Sequence, residues 1–462
     1  MKKSAAAFAV IFVMLSVMMQ SSHFLDADSN LETILSQRMS IRNWDSVAVA
    51  DEVVRAVCRN ALVSVFELNG MELYMLNSSG IYQYDKASVT FVLKSSQDMR
   101  DELASDVSQD FVARAPCIVV VVWNDKIESD SLFAFRKAGI IAQNLYVLAI
   151  RNGLGGVSVG DAIYLDDKTT KIQNHLDLPS NLRPALLFPM GYLQAGQSYP
   201  SGPFQPASGN LPNPLESDVD VLELYQKSVI WGESLHVSQL QLSNVLWSTY
   251  GYSLLGTNHR TVPSAYDEYP FLIFVCNESG VYSYSVESHS LYQTSLGDRR
   301  SDLVGHANAR PYMEKAPVLL IFCWNSLAGV NNASDSDSGG AFISVEIGCC
   351  VQNLYLSATL WNVSVTPLVG TSNYGSLRTD ISSPPIPDTV YPMYLIGLGL
   401  KSILGDINGD YRVNILDIVL IAKAFHAQPG DTRWNPNVDL NEDRQINIID
   451  MTIAAIYFGK EI

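Results

Sequence analysis

Apolar and polar positions follow two rhythms along this chain, and each rhythm returns a second time. In AGIIAQNLYVLAIRNGLGGVSVG, which begins at Ala138, the residues Ala138, Ile141, Ala142, Leu145, Leu148 and Ala149 recur at helical spacing. They form one broad apolar face and predict a long helix packed on a core. NGLGG then stops it, because glycine takes the left-handed conformation in which many helices end. Ahead of this helix VARAPCIVVVVWN, from Val112, is a continuous apolar run of the kind a buried strand shows.

The same elements reappear in the same order further on. NSSGIYQY from Asn77 is answered by NESGVYSY from Asn277, and VARAPCIVVVVWN by MEKAPVLLIFCWN from Met313. QNLY at Gln143 is answered by QNLY at Gln352. This is one colinear repeat with a loop insertion, LAGVNNASDSDSGG, in the second copy. Each unit predicts an amphipathic helix, a hairpin such as FLIFVCNESGVYSYSVESHSLYQ, an apolar strand, the long helix and a closing strand. That order means an α+β sandwich. The expected boundaries are 30–193 for the first unit and 221–400 for the second. The linker 194–220 is rich in Pro, Gly, Ser and Asn, and a separate tail covers 404–462.

The first residues, MKKSAAAFAVIFVMLSVMMQSSHF, place two lysines before an apolar run and small polar residues after it. This is the layout of a secretory signal peptide over residues 1–22. The run is short for a membrane span, which takes about 20 apolar residues, and no later segment reads as one. The expected location is therefore extracellular, secreted or at the cell surface. A net charge of −17 argues against nucleic acid as a partner. The six cysteines do not read as a disulfide framework: Cys117 and Cys323 sit in strand-like runs, and Cys349 and Cys350 in the repeated helix. Sequons at Asn77, Asn277, Asn332 and Asn362 agree with surface exposure there.

LSQRMSIRNW at Leu35, the Ala138 helix with its glycines, and RPALLFPMGYL resemble the nitroreductase family, most closely its azoline-oxidising, SagB-type dehydrogenase branch. LQLSNVLWSTYGY, RTVPSAYDEYP and GVYSYSVESHSLYQ carry the resemblance in the second unit. The resemblance implies FMN held without a covalent bond at a dimer interface. An R-x-S-x-R segment and a Gly-rich turn would come from one subunit, and a P-S segment from the other. A phosphate wants cations and N–H donors, and a reduced flavin wants positive charge or dipoles nearby.

The two units have kept complementary halves of that pattern. Unit one has Arg38, Ser40 and Arg42 and the loop Gly153–Gly160, with Gly155 and Gly156 in it. Unit two has Pro263 and Ser264 in a segment that unit one lacks, but Gln226 and Ile230 stand where arginines would, and its long helix ends WNVSVTP. A fused pseudo-dimer would thus keep one composite flavin site. The alternative is a degenerate scaffold in which the repeats survive because the fold needs them. In favour of decay, the cation that the family usually adds late in the unit is missing: no Lys or Arg occurs between Arg183 and Lys227. His259 and Arg260 could substitute for it. Tyr266, Asp267 and Glu268 could line a pocket or simply form a loop. The seven histidines make no convincing nucleophile–base arrangement, and the residues name no catalytic group and no substrate.

The tail reads GDINGDYRVNILDIVLIAKAF and then VDLNEDRQINIIDMTIAAIYFG. Each half opens a calcium loop with oxygen ligands at positions 1, 3, 5, 7, 9 and 12. These are Asp406, Asn408, Asp410, the Arg412 carbonyl, Asn414 and Asp417, then Asp439, Asn441, Asp443, the Gln445 carbonyl, Asn447 and Asp450. The pair resembles a type I dockerin, although Tyr411 and Arg444 occupy position 6, where EF-hands prefer Gly. The resemblance implies a small all-α domain with two Ca²⁺ ions and a cohesin-type scaffold or surface protein as partner. Ile415, Leu416, Ile448 and Ile449 are either part of that interface or packing between the helices.

Two functions follow. One is a secreted FMN-dependent oxidoreductase of nitroreductase type that carries a calcium-binding docking module. The other is a non-catalytic extracellular protein acting only through calcium-dependent docking.

Overall fold

The computed structural model describes residues 30–64, 68–160, 166–200, 209–225, 236–254, 257–309, 311–327, 336–399, 404–408, 412–428, 431–435, 438–441 and 443–460. Residues 1–22, where the sequence leads one to expect a signal peptide, and Gln226, Ile230, Asp410 and Tyr411 lie outside them.

The first unit contains α1 (Leu31–Gln37), α2 (Asp51–Ala61), β1 (Met71–Asn77), β2 (Gly80–Asp85), β3 (Thr90–Ser95), α3 (Arg100–Val107), β4 (Cys117–Asn124), α4 (Ser131–Arg151), β5 (Leu154–Gly156), α5 (Asp166–His175) and β6 (Leu182–Tyr192). The second contains α6 (Val221–Leu224), α7 (Gln239–Tyr250), β7 (Phe271–Asn277), β8 (Gly280–Ser285), β9 (Ser290–Leu296), α8 (Arg300–His306), β10 (Val318–Asn325), α9 (Ser336–Leu360), β11 (Val369–Gly370), α10 (Tyr374–Ile381) and β12 (Val390–Leu398). The tail adds α11 (Ile415–Lys423) and α12 (Ile448–Ile456).

Each unit builds one six-stranded antiparallel sheet, in the order β3-β2-β1-β4-β6-β5 and, equivalently, β9-β8-β7-β10-β12-β11. The irregularities match as well. The register shifts at Val121/Val122 where β4 meets β6, and at Phe322/Cys323 where β10 meets β12. It shifts again at Ile81/Tyr82 and at Val281/Tyr282. The chain is therefore an α+β protein with two sheets in tandem.

The central strands explain why the apolar runs are continuous. Side chains alternate between the faces of a strand, and both faces of β4 are covered. Val119 and Val121 belong to a central core with α4, whereas Ile118, Val120 and Val122 pack in an outer core with Leu103 and Val107 of α3 and Ile172 of α5. β10 repeats this: Leu320 and Phe322 join the central core, and Leu319, Ile321 and Cys323 an outer one with Leu303 and Ile381. Burial of one such side chain contributes about 1.5–3 kcal/mol.

The central core is common to both units. Leu145 and Leu148 of α4 share it with Val351 and Leu354 of α9 and with Trp247 and Tyr250 of α7. The two long helices touch at equivalent glycines, since a Cβ at Gly139 would lie 2.0 Å from the Val345 carbonyl oxygen and one at Gly348 would lie 2.1 Å from that of Arg136. Only glycine allows this approach. The stretch Gly340–Leu360 of α9 is long and apolar enough to cross a membrane, yet 94% of its most apolar window is buried in the fold. It is a core helix. All six cysteines are buried and unpaired, as small hydrophobes would be.

In the tail, Ile407, Ile421, Val438, Ile446 and Ala454 form a small separate core. His426 N donates to the Ile446 carbonyl at 2.7 Å and Ile446 N to that of Ala427 at 3.0 Å, which ties the two halves together.

Candidate functional site

A cleft of about 210 Å³ opens where the two units meet. Unit one lines it with Ser40, Arg42, Gln109, Leu186 and the stretch from Val157 to Gly160; unit two supplies Pro263 to Asp267, Phe342, Val345 and Glu346. Ser40, Arg42, Pro263 and Ser264, far apart in sequence, thus share one wall system.

Backbone pairing positions the first wall. Ile41 N donates to the Gly156 carbonyl at 3.0 Å, and Trp44 Nε1 to that of Gly155 at 2.7 Å. The R-x-S-x-R segment therefore lies against β5. A Cβ at Gly155 would stand 2.6 Å from Ile41 Cγ1, and one at Gly156 would stand 2.4 Å from Phe188 Cε1. These two glycines serve the packing of that segment and do not line the cleft. Gly153 has φ +70° just after α4 and ends the helix, also away from the cleft. Tyr146 of α4 links the rest, since its hydroxyl accepts from Ser158 N at 2.9 Å and lies 3.4 Å from Ser40 Oγ.

The three residues of the Arg-x-Ser-x-Arg string part company. Arg42 is exposed in the cleft, with its guanidinium 5.8 Å from the Phe111 ring centre. Arg38 is 2% exposed and does not line it. Its Nε donates to the Arg260 carbonyl at 2.6 Å, and its Nη1 is buried without a hydrogen-bond partner. Arg260 sits beside it over the rings of Tyr250 (4.5 Å) and Tyr269 (4.8 Å), and its own Nε is likewise buried and unpaired.

The second wall holds the feature that sequence reasoning missed. Glu346 of α9 is 4% exposed. Tyr250 Oη donates to its Oε1 and Ser264 Oγ to its Oε2, both at 2.6 Å. Burial pushes this carboxyl from 4.5 up to about 7, against the pull of the two hydroxyls and Arg260 and with help from Glu268. The one available signal was a lone acid in the apolar stretch FISVEIGCC. Tyr266 and Asp267 line the cleft and both have φ +57°, which non-glycine residues rarely adopt. His259 contributes its carbonyl to Ser253 N at 2.9 Å.

The calcium loops are ordered by their own polar groups. Asn414 and Asn447 cap α11 and α12, each in a reciprocal capping box with Asp417 or Asp450. Asp417 Oδ1 accepts from Ile407 N and Asn408 N at 2.8 and 3.1 Å, and Asp450 Oδ1 accepts from Leu440 N at 2.7 Å. Asp439 accepts from Asp443 N and Arg444 N, Asn441 Oδ1 also accepts from Asp443 N, and Gln445 N donates to Asp443. Asp406, Asp417, Asp439 and Asp450 are all buried. Burial, together with the nearby Asp450 and Asp443 carboxylates, pushes Asp439 upward. Among the described residues no three acidic, His or Cys side chains converge at metal-binding distance. The ligands expected from the sequence, the Arg412 and Gln445 carbonyls among them, are hard oxygen donors, which is the chemistry Ca²⁺ takes.

Comparison with known proteins follows these two parts. The Nitroreductase family model matches residues 35–192, and the Dockerin type I domain model matches residues 404–458. A curated nitroreductase relative from Methanocaldococcus jannaschii is 27% identical over 41% of this chain and 95% of its own length. A nitroreductase structure from Anabaena variabilis superposes on 75% of this chain and 87% of its own with a TM-score of 0.57 at 14% identity, a likeness of fold. A nitroreductase from Desulfovibrio desulfuricans, solved in complex with FMN, is 22% identical over 37% of this chain and 92% of its own, with a TM-score of 0.30. The chain carries a nitroreductase-family domain, within a tandem fold of that type, and a type I dockerin domain at its C-terminal end.

Proposed function

We propose that the cleft between the units holds FMN and that the chain is an oxidoreductase of nitroreductase type, exported and docked through its calcium-loaded tail to a cohesin-type scaffold or surface protein. The observation that carries this reading is the composition of the cleft: Ser40, Arg42 and Ser158 from one unit face Pro263 and Ser264 from the other. In a fused pair of units one such cleft serves where a homodimer would have two.

The residues present fit the group. Arg38 and Arg260 do not line the cleft, but Arg260 acts electrostatically on Glu346 in its wall. Arg42, Ser40 and Ser158 add a cation and hydroxyl donors for a phosphate or a flavin edge. When bound, FMN supplies two-electron transfer; the protein supplies position and electrostatics. Calcium fits the tail by its oxygen donors. The apolar pairs Ile415–Leu416 and Ile448–Ile449 are 62, 56, 62 and 49% exposed, which supports reading them as part of the docking surface.

The test is the absorption spectrum of the purified chain after incubation with FMN and desalting. Retained flavin, reduced at least tenfold in affinity by Arg42→Ala, is the expected result. A folded chain that stays colourless sinks the reading.

A second reading has its own observation. Gly155 and Gly156 are required by packing against Ile41 and Phe188, and Arg38 is buried away from the cleft. A scaffold without flavin would keep all three, and the tail alone would then act.

A further inference from the structure

Glu346 does something the fold does not ask of it. A buried carboxyl is costly unless charge or hydrogen bonds compensate it, and the surrounding stretch of α9 is otherwise apolar. In the register that matches Gln143 to Gln352, the position equivalent to Glu346 in α4 is Lys137. That lysine is tied off by Glu128 Oε2 at 2.9 Å and the Asn69 carbonyl at 3.2 Å. The two ends of the pseudo-dimer therefore differ in chemistry: one is closed by an ion pair, and the other presents an acid to a cleft.

The partners of Glu346 fix its orientation. Tyr250 Oη accepts from Phe271 N at 3.1 Å, and Ser264 Oγ accepts from Tyr269 N at 3.0 Å. Each hydroxyl then commits its own hydrogen to a carboxyl oxygen. With both committed, an acid proton on Glu346 points away from them. Glu346 is also one of the residues that line the cleft. Its charged and titratable neighbours are Tyr250 from α7, Arg260, Glu268 and Tyr269 from the segment that carries Pro263, and Cys349 and Cys350 from α9 itself; Arg38 of unit one acts on Tyr269 and Cys349.

We propose that Glu346 is the acid of the composite cleft, and that in its protonated form it donates a hydrogen bond to the acceptor edge of an anionic, FMN-like ligand, so that binding takes up a proton. The proton comes from solvent and converts the Glu346 carboxylate to the carboxylic acid; no bond of the ligand breaks. An anion bound beside an ionised Glu346 would meet repulsion, whereas the neutral acid turns the same contact into a donor. Burial, which already holds this carboxyl near neutrality, makes the conversion accessible around physiological pH. The proposal rests on the flavin reading of the cleft.

The test is calorimetric titration of FMN into the full chain at about pH 8, in two buffers of different ionisation enthalpy. Wild type is expected to take up protons on binding. Glu346→Gln is expected to bind FMN with that uptake lost, leaving only what the FMN phosphate contributes. Ser264→Ala removes a bond to the carboxylate form and is expected to move the midpoint of uptake to higher pH. Equal uptake by wild type and Glu346→Gln, with FMN bound in both, overturns the role of Glu346 and leaves the cleft reading standing. No FMN binding by wild type in either buffer overturns the cleft reading and takes this proposal with it.

Discussion

Gln143 and Asn353, one from each central helix, are hydrogen-bonded to each other: Gln143 Nε2 donates to Asn353 Oδ1 at 2.8 Å, and both are fully buried. Both also donate to the Thr261 carbonyl, at 3.1 and 3.2 Å. Thr261 stands two residues before Pro263, so the repeated QNLY is a bracket for the segment that walls the cleft. Asn144 does the corresponding work in unit one, donating to the carbonyls of Ala61 and Val63 at 3.0 and 3.1 Å.

Asn353→Ala should therefore cost more than an ordinary polar truncation. It removes a partner of Gln143 and donors to Thr261 and Ser248 in a dry interior. The expected loss is about 2–3 kcal/mol in denaturant unfolding, with weaker FMN retention because Pro263 and Ser264 lose their anchor. Unfolding unchanged within about 0.5 kcal/mol would rule out the bracket.

Gly348→Ala forces a methyl into the Arg136 carbonyl oxygen, 2.1 Å away. Helices packed this closely accommodate it only by separating, at a cost of about 1–3 kcal/mol. Gly305→Ala, where nothing lies within 4 Å, is the control and should be close to neutral.

Glu346 should leave a mark on stability against pH. Its folded value, raised from 4.5 to about 7, means that the folded chain binds this proton more tightly than the unfolded one. The associated stability is fully present below pH 4.5 and is lost as pH rises through about 7. The slope in that window approaches about 1.4 kcal/mol per pH unit. Glu346→Gln should flatten it, read from denaturation midpoints across the range; an undiminished slope would place the titrating group elsewhere.

Asp450 serves its helix before any ion arrives, because its Oδ2 accepts from Asn447 N at 2.8 Å in the capping box of α12. Asp450→Ala should destabilise the tail by about 1 kcal/mol in chelator. Calcium should then stabilise the wild-type tail and do far less for the variant. Calorimetry of the full chain with calcium and with chelator measures both; a tail transition indifferent to calcium in wild type removes the ion from the account.

Two His–Asp pairs hold equivalent helices with the partners exchanged. Asp106 of α3 meets His175 of α5 at 2.7 Å, whereas His306 of α8 meets Asp380 of α10 at 2.6 Å. Asp106→His alone should destabilise by a few tenths to about 1 kcal/mol, as half-exposed pairs do. Adding His175→Asp should recover most of the loss. No recovery in the double variant would show that the exchange is not equivalent.

The order of elements in the two sheets and the dockerin-type tail were legible because they are written locally. Helical spacing in α4, valine runs in β4 and oxygen ligands at fixed offsets each express one element's needs. The same local logic did not show what packing demands of the glycines. Gly155 and Gly156 resemble a flavin turn in sequence, but Ile41 and Phe188, brought in from other segments, are what require them. Arg38 reads like Arg42 in a string of three, yet the tertiary structure buries one against Arg260 and leaves the other in the cleft.

Glu346 marks the limit most clearly. Its acidity is set by what surrounds it: Tyr250 from another helix, Ser264 from a loop, and the loss of water where two units close. By itself the sequence determined which elements form and that they form twice, because propensity and periodicity act between near neighbours. Only the tertiary structure decided which residues share a cleft and which carboxyl there is pushed upward by burial, because burial and electrostatics depend on groups that the chain brings together from far apart.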